Sequence, residues 1–288
     1  MASSAVSTED PTVAVPSRLG QGHPHTNQAL DVIGVGFAPH PCTSFFLGDA
    51  ERDGVRFWTS MSREILEMLR PGAQPLYALP SASEPEGVAF AYVWRPGAVL
   101  FNIPKTEAMV QAAVQAPWDA SGDLWHRLML DVYAAHGPFV NIDFIAVRPE
   151  RARAGLGRQL LGAILREADA GCLATLAQGL EQPGPAGPEG ANAAGGGSTA
   201  ATGQEGGSPA AGGGGAGAEA EGGAAGCRGL AVFLAASSPD SEAWYGRHGF
   251  QVLHRFHERV AGVPGSYYLT FMVRPPRGAS GGWNAVAA

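Results

Sequence analysis

Apolar positions at Leu30, Ile33 and Phe37 recur every three to four residues and predict a helix that opens at Thr26, read as its N-cap, and stops at Pro39 and Pro41. A stronger stripe follows. Phe57, Met61, Ile65, Met68 and Leu69 share one face over residues 53–70, and Pro71-Gly72 ends it. The period then falls to two. Runs at 76–79 and 87–94, the second alternating Val88, Phe90, Tyr92 and Trp94, predict a hairpin across Pro80, Ser81, Ser83 and Pro85. Helical spacing returns over 105–136 through Leu124, Leu128 and Val132, with an interruption expected at Pro117. Phe139–Val147 is a β-rich run, and 155–170 is a helix through Leu156, Leu160, Leu161 and Ile164. The last part predicts a strand at 230–235, a short helix at 240–247, and strands at 250–257 and 267–273. Strands alternating with helices give an α/β or α+β fold, a sheet with helices on its faces.

Between the helix at 155–170 and the strand at 230–235 the pattern vanishes. Residues 178–226 hold 18 of the 41 glycines and 13 alanines, with Leu180 the one large aliphatic residue and no aromatic. Such a stretch cannot bury enough apolar surface to order itself, so it reads as a disordered insertion in a single domain spanning 25–274. Its five glutamates supply −5 of the net −7, which leaves the folded part nearly neutral and without the basic footprint of a duplex nucleic-acid binder. Lengthening a connection from about five to about fifty residues costs only ~2 kcal/mol of closure entropy, so a spacer role is tolerable. A partner-binding or condensate-forming role for the tract is the other reading. Residues 1–24 read as a flexible lead-in that contributes at most one strand through Val13, Val15 and Leu19, and 275–288 as a flexible tail.

Cys42, Cys172 and Cys227 are odd in number and far apart, which suggests neither a disulfide framework nor a zinc site. The pairs His23/His25 and His254/His257 lack completing ligands, so no metal is expected. No apolar run reaches the ~18 residues needed to span a bilayer, so no membrane association is expected. A reducing, cytoplasmic setting fits best. Met1-Ala2-Ser3-Ser4 is transit-like, but Glu9, Asp10 and the single arginine before residue 50, Arg18, speak against it; organelle targeting stays open.

Candidate chemistry concentrates at 139–170: strand, tight basic loop with paired glycines, helix. Such a loop turns several backbone N–H groups toward one point at a helix N-terminus, an anion cradle beside Arg148, Arg151, Arg153 and Arg158. The ligand expected there is a pyrophosphate or phosphate. Gly155-Leu156-Gly157 lacks the third glycine of a dinucleotide fingerprint, and no Walker loop is present. Gly34-Val35-Gly36 is a second pair, best read as packing.

The sequence resembles the GNAT superfamily of acyl-CoA-dependent N-acetyltransferases. The resemblance rests on Val147-x-Pro149-Glu150 leading into Gly155-Leu156-Gly157-Arg158-x-Leu160-Leu161, on Ala168-Asp169-Ala170, and on the run from Ala243 to Phe250. It covers residues 27–274 by element order and is specific over 139–171 and 229–255. It implies a mixed, mostly antiparallel sheet with helices on both faces, splayed between its fourth and fifth strands where the pantetheine arm lies. It implies acetyl-CoA as co-substrate, no metal, an amine acceptor, no nucleic acid and no membrane, in a monomer or homodimer.

The residue roles come with the resemblance. Backbone groups of Ile145, Ala146 and Val147 would bond the pantetheine and the thioester carbonyl. N–H groups of Arg153, Ala154, Gly155, Leu156, Gly157 and Arg158 would hold the pyrophosphate. Tyr245 would donate a proton to the departing thiolate. Ser241 stands where the family has Asn and would bond CoA; Ala152 and Ala154 replace side chains that are often Gln, Arg or basic. No general base is obvious. Asp143 is the candidate, because it alternates onto the face of Asn141 and Ile145. The break at Pro39-His40-Pro41 falls where the family borders its acceptor pocket, and the Phe37, Phe45, Phe46 and Trp58 group reads mainly as core. Plainer roles fit the same residues: Gly155 and Gly157 as a simple turn, Tyr245 as a packed aromatic, Asp143 as a hydrogen-bonded strand residue. The function implied is acetyl transfer from acetyl-CoA to a primary amine of a small molecule, directly in a ternary complex. The alternatives are a CoA-binding module with little turnover and a protein N-acetyltransferase.

Overall fold

The computed structural model describes residues 14–69, 71–96, 103–171 and 229–277; the 178–226 tract, Val13, Cys172 and Cys227 lie outside the described residues. In chain order the elements are β1 (Ser17–Leu19), α1 (Thr26–Phe37), α2 (Pro41–Phe46), α3 (Ala50–Met68), β2 (Leu76–Pro80), β3 (Pro85–Trp94), α4 (Pro104–Glu107), α5 (Gln115–His136), β4 (Phe139–Val147), α6 (Leu156–Asp169), β5 (Ala231–Ala236), α7 (Pro239–Gly246), β6 (Gln251–Glu258) and β7 (Tyr267–Arg274). Single 3-10 turns precede α5 and α6.

The strands form one open sheet in the order β1-β2-β3-β4-β5-β7-β6. Every neighbouring pair is antiparallel except β4 and β5. Helices cover both faces. Phe90, Tyr92, Phe139 and Phe233 pack with α1, α2, α3 and α5, while Ala89, Val93, Val140 and Val232 pack with Leu160, Leu161 and Ile164 of α6. That two-sided cover is why almost every residue of β3 is buried and its sequence is nearly continuous in apolar residues.

Several expected boundaries shift for local reasons. Thr26 lies inside α1, its hydroxyl donating to the Gly20 carbonyl at 2.6 Å, and His25 takes the cap position. α3 begins at Ala50 because Asp49 accepts the Arg52 N–H at 3.0 Å. α1 stops at Phe37, just before Pro39 as expected, but a second helix follows at once: Pro41 opens α2, its missing N–H being one that a first turn cannot use anyway. Pro117 does not interrupt α5 but sits in its first turn; the break comes earlier, after α4. Residues 17–19, inside the expected lead-in, form the sheet-edge strand β1, while Val15 is exposed. The two flanks of the interrupting segment meet, with the Leu230 N–H donating to the Ala168 carbonyl at 2.7 Å.

Gly34 and Gly36 are packing glycines. A methyl group at Gly34 would collide with Thr59 Oγ1 and stand 2.8 Å from the Val55 carbonyl of α3; at Gly36 it would stand 3.1 Å from the Ala146 side chain. Gly34→Ala is therefore expected to destabilise by about 1–3 kcal/mol through overpacking, read as a lowered denaturation midpoint. An unchanged midpoint would contradict this close approach of α1 to α3.

Candidate functional site

The site begins where the sheet comes apart. β4 pairs with β5 only from Phe139↔Ala231 to Ile142↔Leu234, so the rest of β4 has no strand on that side among the described residues. A cleft of about 320 Å³ opens there. Strand alternation sets which backbone groups face it. The Arg148 N–H donates to the Glu86 carbonyl of β3 at 2.8 Å, so two residues at a time back along β4, Ala146 also turns its groups to β3. Ile145 and Val147 turn theirs to the open side.

Beyond β4 the chain passes a 3-10 turn, Pro149–Arg151, and reaches α6 through two left-handed residues, Arg153 (φ 68°) and Gly155 (φ 80°). Glycine adopts that angle without the Cβ strain that Arg153 bears two residues earlier. The Ala154 N–H closes on the Arg151 carbonyl at 3.2 Å, whereas the first-turn amides of Leu156, Gly157 and Arg158 have no carbonyl of their own helix to reach. Gly157 is not required by packing, since a methyl group there would make only ordinary contacts, 3.8 Å from Ile145 and 3.9 Å from Val147. A helix glycine that the fold does not need leaves the backbone open to close approach. Of the four arginines, Arg151 is paired to Glu86 at 3.1 Å and Arg148 donates to the Pro85 carbonyl; Arg153 and Arg158 make no ion pair among the described residues. The loop sits at the end of β4 and does not line the cleft itself.

Asp143 stands at the parting point. Ile142 and Phe144 are paired with the consecutive residues Ala91 and Phe90, so Asp143 is the extra residue of a β-bulge. This corrects the expected alternation: Asp143 stays beside Asn141, but the bulge inverts the phase, and Ile145 packs on the α6 side. Asn141 Nδ2 donates to Asp143 Oδ1 at 2.6 Å, and Asp143 Oδ2 is buried without a partner. Burial pushes the carboxyl up to about 7 against the opposing effect of the hydrogen bond from Asn141 and of the neighbouring Tyr92 hydroxyl.

Across the cleft, α7 is capped by Ser238, whose Oγ accepts the Ser241 N–H at 3.1 Å. Ser241 Oγ returns the contact, accepting the Ser238 N–H at 3.0 Å and donating to the Ser238 carbonyl at 2.9 Å. Its donor is thus spent in the capping box. Tyr245, one helical turn on, lines the cleft between Trp244 and Phe250, and burial raises its phenol above the ordinary range. The structure therefore gathers Asp143, Ile145, Ala146, Val147, Ser241 and Tyr245 around one cleft.

It also adds residues that the sequence did not single out. His40 accepts the Cys42 N–H on Nδ1 at 3.3 Å as the α2 cap, which leaves its ring proton on Nε2, 3.0 Å from Ser237 Oγ. Burial lowers the imidazole pKa and holds it neutral. Helix α5 contributes Trp118, Ser121, Gly122 and Trp125 to the wall. Phe37, Phe46 and Trp58 are core and wall at once; Phe45 packs away from the cleft. The Pro39-His40-Pro41 break was the available signal for His40, whereas nothing local marked Ser237.

The expected sheet, parted between its fourth and fifth strands with helices on both faces, is the one observed. It matches the sheet that the resemblance to the GNAT superfamily implied. No protein-family model and no curated protein sequence matches the chain. Solved structures similar to it include a histone acetyltransferase HPA2 and related acetyltransferase from Corynebacterium glutamicum, at 14% identity over 91% of this chain and 97% of that one, TM-score 0.47. Others are a putative arylalkylamine N-acetyltransferase 7 from the mosquito Aedes aegypti, at 14% identity over 85% and 81%, TM-score 0.46, and a polyamine N-acetyltransferase from Drosophila melanogaster, at 10% over 86% and 93%, TM-score 0.42. Likenesses at this level carry no residue role and no substrate to this chain.

Proposed function

We propose that this protein transfers an acetyl group from acetyl-CoA to a primary amine of a small molecule, directly within a ternary complex. One observation carries the reading: the buried, unpartnered Asp143 Oδ2 shares a cleft with the unpaired backbone of Ile145 and Val147 and with Tyr245. The residues present fit acetyl-CoA. Open strand groups suit an extended amide-bearing arm, and the first-turn amides of α6 with Arg153 and Arg158 suit a pyrophosphate.

In this reading Asp143 takes a proton from the acceptor nitrogen as the N–C bond forms, with an N–H of the open β4 edge facing the oxygen where charge develops. The C–S bond then breaks and the sulfur takes a proton from Tyr245. A phenol whose pKa is raised keeps that proton throughout the usual assay range. Most of the acceleration comes from holding amine and thioester together, with no covalent enzyme intermediate.

Acetyl-CoA with an amine panel and a thiol readout tests the activity; thiol release dependent on amine is expected. Tyr245→Phe should lower kcat by about 100-fold while acetyl-CoA affinity holds, since the ring remains and only the proton is lost. An unchanged kcat would remove Tyr245 from the mechanism. The engagement of Ser241 in its own cap takes away the CoA contact expected of it, so CoA binding in this reading rests on the β4 backbone and the α6 N-terminus.

A further inference from the structure

The end of the cleft facing α5 has a composition of its own. Phe46, Trp58, Trp118, Trp125 and Tyr267 converge on it from α2, α3, α5 and β7. Polar tips among them are turned inward: Trp58 Nε1 donates to Thr43 Oγ1 at 2.9 Å, and the Tyr267 hydroxyl shares a 2.9 Å hydrogen bond with Ser121. These rings form the apolar part of the lining, beside the polar side chains of His40, Ser121 and Ser237. Trp118 meets Phe46 edge-on, centroids 5.0 Å apart, which fixes a wall with flat faces.

The charge inventory is equally restrictive. Among the described residues lining the cleft, Asp143 is the one carboxylate, and none is lysine or arginine. His40 is neutral and already committed to Cys42 and Ser237. A second ammonium, as in a polyamine, would enter an aromatic wall with no anion to pair it. The carboxylate of an amino acid would find no cation.

We infer that the acceptor is a primary monoamine carried on an aromatic or similarly flat apolar body, its nitrogen at Asp143 Oδ2 and its body against Trp58, Trp118 and Phe46. The inference rests on the acetyl-transfer reading and names the substrate class of that same site. Gly122 of α5 sets the room available. It lines the cleft, and a Cβ built there meets no atom within 4 Å. The space around that Cβ is open, so a larger side chain at this position narrows the α5 end of the cleft, and it replaces a glycine inside a helix.

The test has two readouts. Initial rates with acetyl-CoA should give tryptamine and phenethylamine a kcat/KM at least about 100-fold above those of spermidine, lysine or a peptide N-terminus, because each of these leaves a charged or polar group unpaired in the site. Calorimetry in the presence of CoA should show tryptamine binding, weakened at least about tenfold by Gly122→Leu, with acetyl-CoA affinity held. Transfer that favours spermidine, lysine or the peptide overturns the substrate class and leaves the transfer reading standing. Tryptamine binding that Gly122→Leu weakens, with no transfer to any amine, supports the class and overturns the transfer reading. Tryptamine binding indifferent to Gly122→Leu overturns the inference even if the variant folds normally.

Discussion

Asp143→Asn is expected to lower kcat by about 1,000-fold while acetyl-CoA affinity stays within twofold or so, because a positioned base contributes roughly 10²–10⁴ and the substitution keeps the shape of the group. The same change should remove a limb from the pH profile. The carboxyl is raised to about 7, chiefly by burial, so the fraction able to accept a proton grows as pH rises through that value, and the rate grows with it. The variant should show no such rise. Stability should move the opposite way. A carboxyl whose folded pKa lies above its ordinary 3.8 contributes stability that is fully present below 3.8 and lost as pH rises through about 7. Asparagine has no charge to bury, so the variant should melt higher than the parent at pH 9, and the difference should shrink toward pH 5. A variant both fully active and less stable at pH 9 would return Asp143 to an ordinary strand residue.

The second large effect is expected at Gly157. Gly157→Asp puts a carboxylate in the first turn of α6, where the helix dipole favours it by about 0.3–1 kcal/mol, and it removes a helix glycine. Space exists, with the nearest atoms 3.8 Å from the new Cβ. The fold should hold or gain. Acetyl-CoA binding should fall by at least about 100-fold, roughly 3 kcal/mol, within the ~4 kcal/mol expected for like charges 4 Å apart at an effective dielectric of 20. Titration calorimetry and thermal melting on one preparation separate the two effects. Affinity retained alongside an intact melt would move the pyrophosphate away from the α6 N-terminus.

How far the sequence alone reached differs by element. Phe139–Val147 was legible to the residue because a run covered on both faces is apolar at nearly every position, Asn141 and Asp143 excepted. The phase inversion at Asp143 was not, since a bulge exists only in the pairing of β4 with β3. Gly155 was legible as a turn glycine, and its φ of 80° bears that out. The spacing of Leu124, Leu128 and Val132 marked a helix in the 105–136 stretch, but its service as an aromatic wall depends on how α5 sits over β4, β5 and β7. Pro117 was misplaced because a proline inside a helical stretch reads as a break unless the first turn is known. Ser237 meets His40 across 197 positions of sequence, and no local pattern announces a contact of that kind. Elements set by spacing were visible; elements set by packing were not.

Direct transfer in the parted strands is tested most directly by single-turnover mass spectrometry with isotope-labelled acetyl-CoA and tryptamine, parent and Asp143→Asn side by side. The expected result is label on the amine nitrogen, free CoA in equal amount, no label on the protein, and a product rate about 1,000-fold lower in the variant. Label held covalently on the protein, or acetyl-CoA bound and returned intact with every amine, would contradict it.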